Sequence, residues 1–133
     1  MTKELTNTIK FSETLLRLKQ RIDTDIETYA DELHRDMLNL YGPKAAVPVD
    51  VYLNVLRRGG KRLRGALTMF GYEMCGGKDT GMIIQAARAV EMIHAYLLIM
   101  DDIQDRSLLR RGKKTAHIAL AALHAEQGYS GDS

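Results

Sequence analysis

The chain has 133 residues, a length that suits one domain with a modest core. Hydrophobic residues at 45% and charged residues at 27% exclude a disordered or fibrous chain, and a single cysteine, Cys75, excludes an internal disulfide. With 19 Lys and Arg against 17 Asp and Glu, the net charge of +2 singles out no class of partner.

The first ten residues, MTKELTNTIK, contain no apolar stretch of the kind a signal peptide needs. From Ser12 to Tyr41 the apolar positions Leu15, Leu18, Ile22, Ile26, Tyr29, Leu33, Met37 and Leu40 follow one another at steps of three and four. That spacing predicts a long amphipathic helix, with Ser12 as its N-cap and Gly42-Pro43 as its stop. A second, short helix is predicted over Val49–Leu56, ending at Gly59-Gly60. A third covers Leu63–Met74 and stops at Gly76-Gly77. A fourth runs from Thr80 to Ile103; being apolar around most of its circumference, it is expected in the middle of the domain. A fifth covers His117–Gln127 and stops at Gly128. No stretch alternates as a strand does, so the expected fold class is all-α with about five helices. The run Met92–Met100 is interrupted by His94 and too short to span a bilayer, so no transmembrane segment is expected and the protein is read as cytoplasmic.

Charge is unevenly placed. Residues 1–50 carry seven Lys and Arg against nine Asp and Glu, whereas residues 51–133 carry twelve against eight. Ten of the cations lie in two short segments, Arg57–Arg64 and Arg106–Lys114. Between them stands Asp101-Asp102-Ile103-Gln104-Asp105.

Asp101 and Asp105 are four apart and so share one helix face. Three carboxylates repel one another, and the C-terminal end of a helix is itself unfavourable to negative charge. A hard cation such as Mg²⁺ relieves that repulsion, taking one or two carboxylates together with substrate phosphates. The alternatives are a solvated acidic turn, or a helix end paired with Arg106 and Arg110. The segment Arg57-Arg58-Gly59-Gly60-Lys61-Arg62-Leu63-Arg64 places paired glycines before a helix, a setting in which amides and cations converge on an anion. Lys61 and Arg64 are expected on one face of its first turn, gripping a diphosphate. A basic loop is the plainer alternative; a nucleic-acid partner is not expected, since stacking aromatics are missing. In Arg110-Arg111-Gly112-Lys113-Lys114-Thr115 two adjacent guanidinium forks point apart and can serve two anions. His94 lies two turns before Asp101, so Glu91, His94, Leu98, Asp101 and Asp105 form one stripe.

The ordered set Gly60-Lys61-Arg62-Leu63-Arg64, Glu91-Met92-Ile93-His94, Asp101-Asp102-Ile103-Gln104-Asp105 and Arg110-Arg111-Gly112 with Thr115 and His117 closely resembles the trans-isoprenyl diphosphate synthases, the polyprenyl synthetases. A terpene cyclase would share the Asp-rich motif but not the Gly-Lys-x-x-Arg and Arg-Arg-Gly segments. The resemblance implies the N-terminal part of an isoprenoid synthase helical bundle, working as a homodimer on an allylic diphosphate and isopentenyl diphosphate. It implies that Asp101 and Asp105, supported by Asp102, bind Mg²⁺ and that Arg110 contacts the allylic diphosphate. Lys61, Arg64, His94 and Arg111 would hold isopentenyl diphosphate. Tyr96 and Leu97, a turn before the Asp-rich motif, would limit product length, which suggests geranylgeranyl diphosphate with farnesyl diphosphate as the runner-up. Gly65 and Lys114 stand where that family commonly has proline.

Family members are much longer and carry a second Asp-rich motif and downstream lysines. Residues 1–133 are therefore expected to be a single partial domain: a long helix and linker over 1–47, then the first half of the prenyltransferase core over 48–133. Its end at Asp132-Ser133 is read as a truncation. As a fragment it would bind Mg²⁺ and diphosphate but turn over little alone; the alternative is a non-catalytic helical partner subunit of a heteromeric synthase.

Overall fold

The computed structural model describes residues 2–128, with side chains from residue 11 onward; the expectation about the tail Tyr129–Ser133 lies outside the described residues. Among the described residues five helices appear in chain order: α1 (Thr2–Tyr41), α2 (Pro43–Arg57), α3 (Leu63–Met74), α4 (Thr80–Gln104) and α5 (Ala116–Glu126). Between α4 and α5 a hairpin of two-residue strands, β1 (Leu109–Arg110) and β2 (Lys113–Lys114), pairs antiparallel. The all-α class and the five helices are as the sequence predicts.

The apolar period of α1 does what such a period requires. Leu18, Ile22 and Ile26, with Ala30, are fully buried and form the middle of the core. The stripe loses its partners toward the C-terminal end, where Leu40 is 72% exposed. Ser12 is inside this helix rather than at its start, because the helix extends ten residues further toward the N-terminus. At Gly42 the chain turns with φ +81, a left-handed value that glycine takes without strain, and Pro43 opens α2 at once. That helix therefore starts six residues before Val49. Pro48 lies within it, in the second turn, where it removes the amide that would otherwise donate to the Lys44 carbonyl. Leu53, Val55 and Leu56 then pack into the core.

The α3–α4 contact is set by small residues. Gly65 of α3 meets α4 so closely that a Cβ there would lie 3.0 Å from Ile22 Cδ1 and 3.2 Å from the carbonyl oxygen of Ala87. Asp79 caps α4 by accepting from the amides of Gly81 and Met82. Helix α4 touches all four other helices, with Ile83, Ala87, Glu91 and Ala95 on its buried side. It is less central than its composition suggests. Ile93, Tyr96, Leu97 and Ile103 are all at least 45% exposed, leaving one apolar flank uncovered. By length and composition α4 is also long and apolar enough to cross a membrane, yet its inner face is packed on α1, α2 and α3 and its last turn carries carboxylates.

The β1–β2 hairpin stands where a loop is expected from the sequence. Arg111 and Gly112, its two turn residues, both have left-handed φ of +53 and +74, the values a tight two-residue hairpin needs. Buried Thr115 closes its base: the hydroxyl donates to the Ser107 carbonyl at 2.7 Å and the amide donates to the Leu108 carbonyl at 3.1 Å. Short as it is, the hairpin brings Arg110 Nε to Asp102 and Arg111 Nη1 to the Gly59 carbonyl.

Candidate functional site

The turn between α2 and α3 sets the site. Gly59 and Gly60 take φ of +71 and +154, and Arg62 follows at +50 as the residue before α3. Lys61 therefore precedes the helix instead of standing on its first turn. It nonetheless opens on the same cavity as Arg64, a cleft of about 310 Å³ whose wall also includes His94, Arg110 and Arg111. Every residue expected to hold isopentenyl diphosphate lines this one cleft.

Two contacts fix its wall. Arg64 Nη1 donates to His94 Nε2 at 3.1 Å, so His94 is neutral and carries its proton on Nδ1. Burial and the neighbouring Arg64 guanidinium hold its pKa below the ordinary value. Arg111 Nη1 donates to the Gly59 carbonyl across a sequence separation of 52 residues. A Cβ on Gly60 would meet the same guanidinium at 3.2 Å, so the paired glycines make room for an arginine as well as for a turn. Among the described residues, Lys61, Arg64 and Arg111 have no carboxylate within ion-pair distance. They make a cationic cleft with an unneutralised charge of the kind that takes a polyanion.

The three aspartates separate. Asp101 and Asp105 are exposed at the last turn of α4, joined by the Asp105 amide donating to the Asp101 carbonyl at 2.9 Å. Asp102 is 3% exposed and turned the other way, accepting from Arg110 Nε at 2.8 Å. That hydrogen bond raises the pKa of Arg110, with Asp101 and Asp105 adding to it through space. The pairing of a helix-end carboxylate with Arg110, one of the alternatives open from sequence, is realised for Asp102 alone. Asp101 and Asp105 lie outside the cleft wall, and Arg110 stands between the two groups.

Among the described residues no three His, Cys, Asp or Glu side chains gather into a preformed metal cage. Two exposed carboxylates one helical turn apart still fit Mg²⁺, which takes one or two carboxylates and fills its remaining positions with phosphate and water oxygens. Tyr96 and Leu97 are 54% and 51% exposed, so neither is packed in a core formed by these helices. Leu97 borders a shallow hollow of about 190 Å³ beside Val90, Ile93 and His94.

Sequence reasoning passed over Arg62 and the role of Glu91. Arg62 is buried at 7% exposure; Glu91, at 5%, accepts from the Gly65 amide at 2.9 Å and pairs with Arg62 at 3.5 Å. A glutamate on the inner face of an apolar helix is a signal in itself, because a buried carboxylate needs donors.

Residues 48–125 match the protein family described as Polyprenyl synthetase. The chain is 39% identical over 99 residues to the Short chain isoprenyl diphosphate synthase of Methanocaldococcus jannaschii, covering 74% of this chain and 26% of that protein. It is 45% identical over 62 residues to the Geranylgeranyl pyrophosphate synthase of Geoglobus acetivorans (47% and 19% covered). Geranylgeranyl pyrophosphate synthase 4 of Arabidopsis thaliana is 43% identical over 81 residues (54% and 22% covered). The chain thus spans about a quarter or less of the length of these relatives. No solved structure matches it.

Proposed function

This chain belongs to the polyprenyl synthetase family, and from that premise we propose that it supplies the first carboxylate pair and the diphosphate cleft of a prenyl transferase. The observation that carries this reading is the cleft shared by Lys61, Arg64, His94, Arg110 and Arg111, drawn from three separate segments. In the proposed reaction an allylic diphosphate loses its diphosphate as the carbon–oxygen bond breaks. The double bond of isopentenyl diphosphate then forms the new carbon–carbon bond, and a proton leaves to restore a double bond one isoprene unit further on.

Lys61, Arg64 and Arg111 hold isopentenyl diphosphate through charge-assisted hydrogen bonds, with His94 completing the wall. Arg110, anchored by Asp102 through Nε, offers the other edge of its guanidinium to the allylic diphosphate. Asp101 and Asp105 would hold Mg²⁺, which when bound neutralises the leaving diphosphate. Asp102 acts on this arrangement through Arg110. Leu97 and Tyr96 border the path along which the prenyl tail lies, and relatives named for geranylgeranyl products support geranylgeranyl diphosphate as the product class.

A second reading has its own support. Leu63, Leu67, Phe70 and Met74 form an exposed apolar stripe along α3, each at least 41% exposed. Such a stripe suits pairing with another subunit, either a second copy in a homodimer or a catalytic partner.

The test is incorporation of radiolabelled isopentenyl diphosphate in the presence of an allylic diphosphate and Mg²⁺, alongside calorimetric titration of the chain with isopentenyl diphosphate. The expected result is binding that Lys61→Ala and Arg64→Ala each weaken, with little turnover by the chain alone. Turnover abolished by Asp101→Ala would mean that these residues assemble a working site unaided. Isopentenyl diphosphate that binds equally well to Lys61→Ala, Arg64→Ala and the wild type would overturn the reading.

A further inference from the structure

We infer that Arg62 is the positioning residue of the cleft: it lies in the cleft wall with its guanidinium committed to protein acceptors, and its pairing with Glu91, Asp23 and the end of α2 is what turns Lys61 and Arg64 outward together. The inference deepens the diphosphate reading above and rests on it.

Arg62 lies in the most cationic segment of the chain, where another phosphate contact would be the simple expectation. Its backbone is left-handed, at φ +50 and ψ +31, a conformation uncommon for a residue with a Cβ. The surroundings are three helices. Arg62 Nε donates to Asp23 Oδ1 of α1 at 2.8 Å and Nη2 donates to the Leu56 carbonyl of α2 at 2.9 Å. Nη1 faces Glu91 Oε2 of α4 at 3.5 Å. One planar fork thereby reaches three partners in three directions, which an ammonium on a flexible stem cannot reproduce.

Glu91 completes the device with its other oxygen. Oε1 accepts from the Gly65 amide, one of the first-turn donors of α3 that the helix itself leaves unbonded. The same carboxylate therefore fixes both Arg62 and the start of the helix bearing Arg64. Lys61 and Arg64 flank Arg62 in sequence and are exposed on the cleft, while Arg62 between them is buried. With Arg62 released from its three partners, the turn keeps only the Glu91–Gly65 and Arg111–Gly59 contacts, and Lys61 and Arg64 lose their common direction.

The experiment titrates the 133-residue chain with inorganic pyrophosphate in metal-free buffer. Variants are Arg62→Lys, Lys61→Ala/Arg64→Ala, and the triple combination. Arg62→Lys keeps the net charge, so general attraction for an anion is unchanged. It is expected to weaken pyrophosphate binding by about tenfold while cooperative thermal unfolding is retained. In the Lys61→Ala/Arg64→Ala background the same change is expected to alter affinity by less than about twofold, because a positioning residue has no effect once the residues it positions are gone. A purely structural role would not produce that coupling. Should Arg62→Lys fail to fold, Asp23→Asn removes one of the three partners at a more exposed site and is expected to give a smaller loss in the same direction.

Pyrophosphate binding unchanged in Arg62→Lys, or in Asp23→Asn where that variant stands in, overturns the inference. So does a loss of equal size with and without Lys61 and Arg64. A wild-type chain that binds no pyrophosphate overturns the diphosphate reading itself, and the inference with it.

Discussion

The cations of this chain fall into two sets that look alike in sequence and behave oppositely in the fold. Arg57, Arg62 and Arg88 face α1 and are paired with its acids: Arg57 with Glu27 and Asp31, Arg62 with Asp23, and Arg88 with Asp25 at 2.9 Å. Arg88 also lies 4.2 Å from the Tyr29 ring centroid. Lys61, Arg64 and Arg111 face the cleft and have no carboxylate partner among the described residues. The excess of acid in the first fifty residues thus has a structural use. It neutralises the cations that hold the bundle together and leaves the cleft charged. Burial, more than charge, tells the sets apart in strength: Arg62 is 6% exposed at its side chain, whereas Arg57 and its partners are far more open and their pairing is worth little.

The sharpest way to break this division is Glu91→Ala. It leaves the Arg62 guanidinium buried and the Gly65 amide without an acceptor, and is expected to cost about 3 kcal/mol, read from urea unfolding. A loss below about 1 kcal/mol, the range of a surface pair, would put Arg62 in the same class as Arg57. Gly65→Ala comes next. Its Cβ would press on Ile22 and on the backbone of α4, an overpacking expected to cost about 2 kcal/mol. A neutral outcome would mean that α3 and α4 separate easily and that the wall of the cleft is soft.

The cleft set should respond the other way. Lys61→Ala is expected to leave unfolding free energy within about 0.5 kcal/mol of wild type while weakening isopentenyl diphosphate binding by about tenfold. Stability and affinity falling together would erase the distinction between structural and ligand-facing cations.

The smallest expected effect concerns His94. Its pKa lies below the usual value because burial and Arg64 disfavour the imidazolium. The folded state therefore binds the proton less readily than the unfolded one. Stability contributed by this group is present above the unfolded value of about 6.5 and is lost as pH falls through the folded value. A bound diphosphate reverses the sign of the local field, so it should raise the His94 pKa and draw a proton onto the ring. Ring-proton NMR titration with and without inorganic pyrophosphate reads this directly. An unmoved titration would place the anion away from His94.

Much of the fold was legible because its signals are local. The three-and-four spacing of Leu18, Ile22 and Ile26 needs no tertiary information to mark a buried stripe, and Gly59-Gly60, Gly76-Gly77 and Gly128 end helices by their own backbone freedom. Asp101 and Asp105 could likewise be grouped from helical geometry alone. The missed boundaries were also local, but weaker. The segment before Ser12 is mostly polar, with Leu5 and Ile9 its apolar pair before Phe11, yet it continues α1.

What only the tertiary structure decided is which member of each charged cluster turns inward. Asp102 is buried and Asp101 exposed because a hairpin eight residues on delivers Arg110 to one side of α4. Arg62 is buried and Arg64 opens on the cleft because Asp23 and Glu91, 39 and 29 residues away, accept from the one and His94 from the other. Adjacent residues of like charge are indistinguishable in sequence. They differ in the fold because desolvating an arginine demands fixed acceptors, and acceptors from distant helices are set by packing that no local pattern encodes.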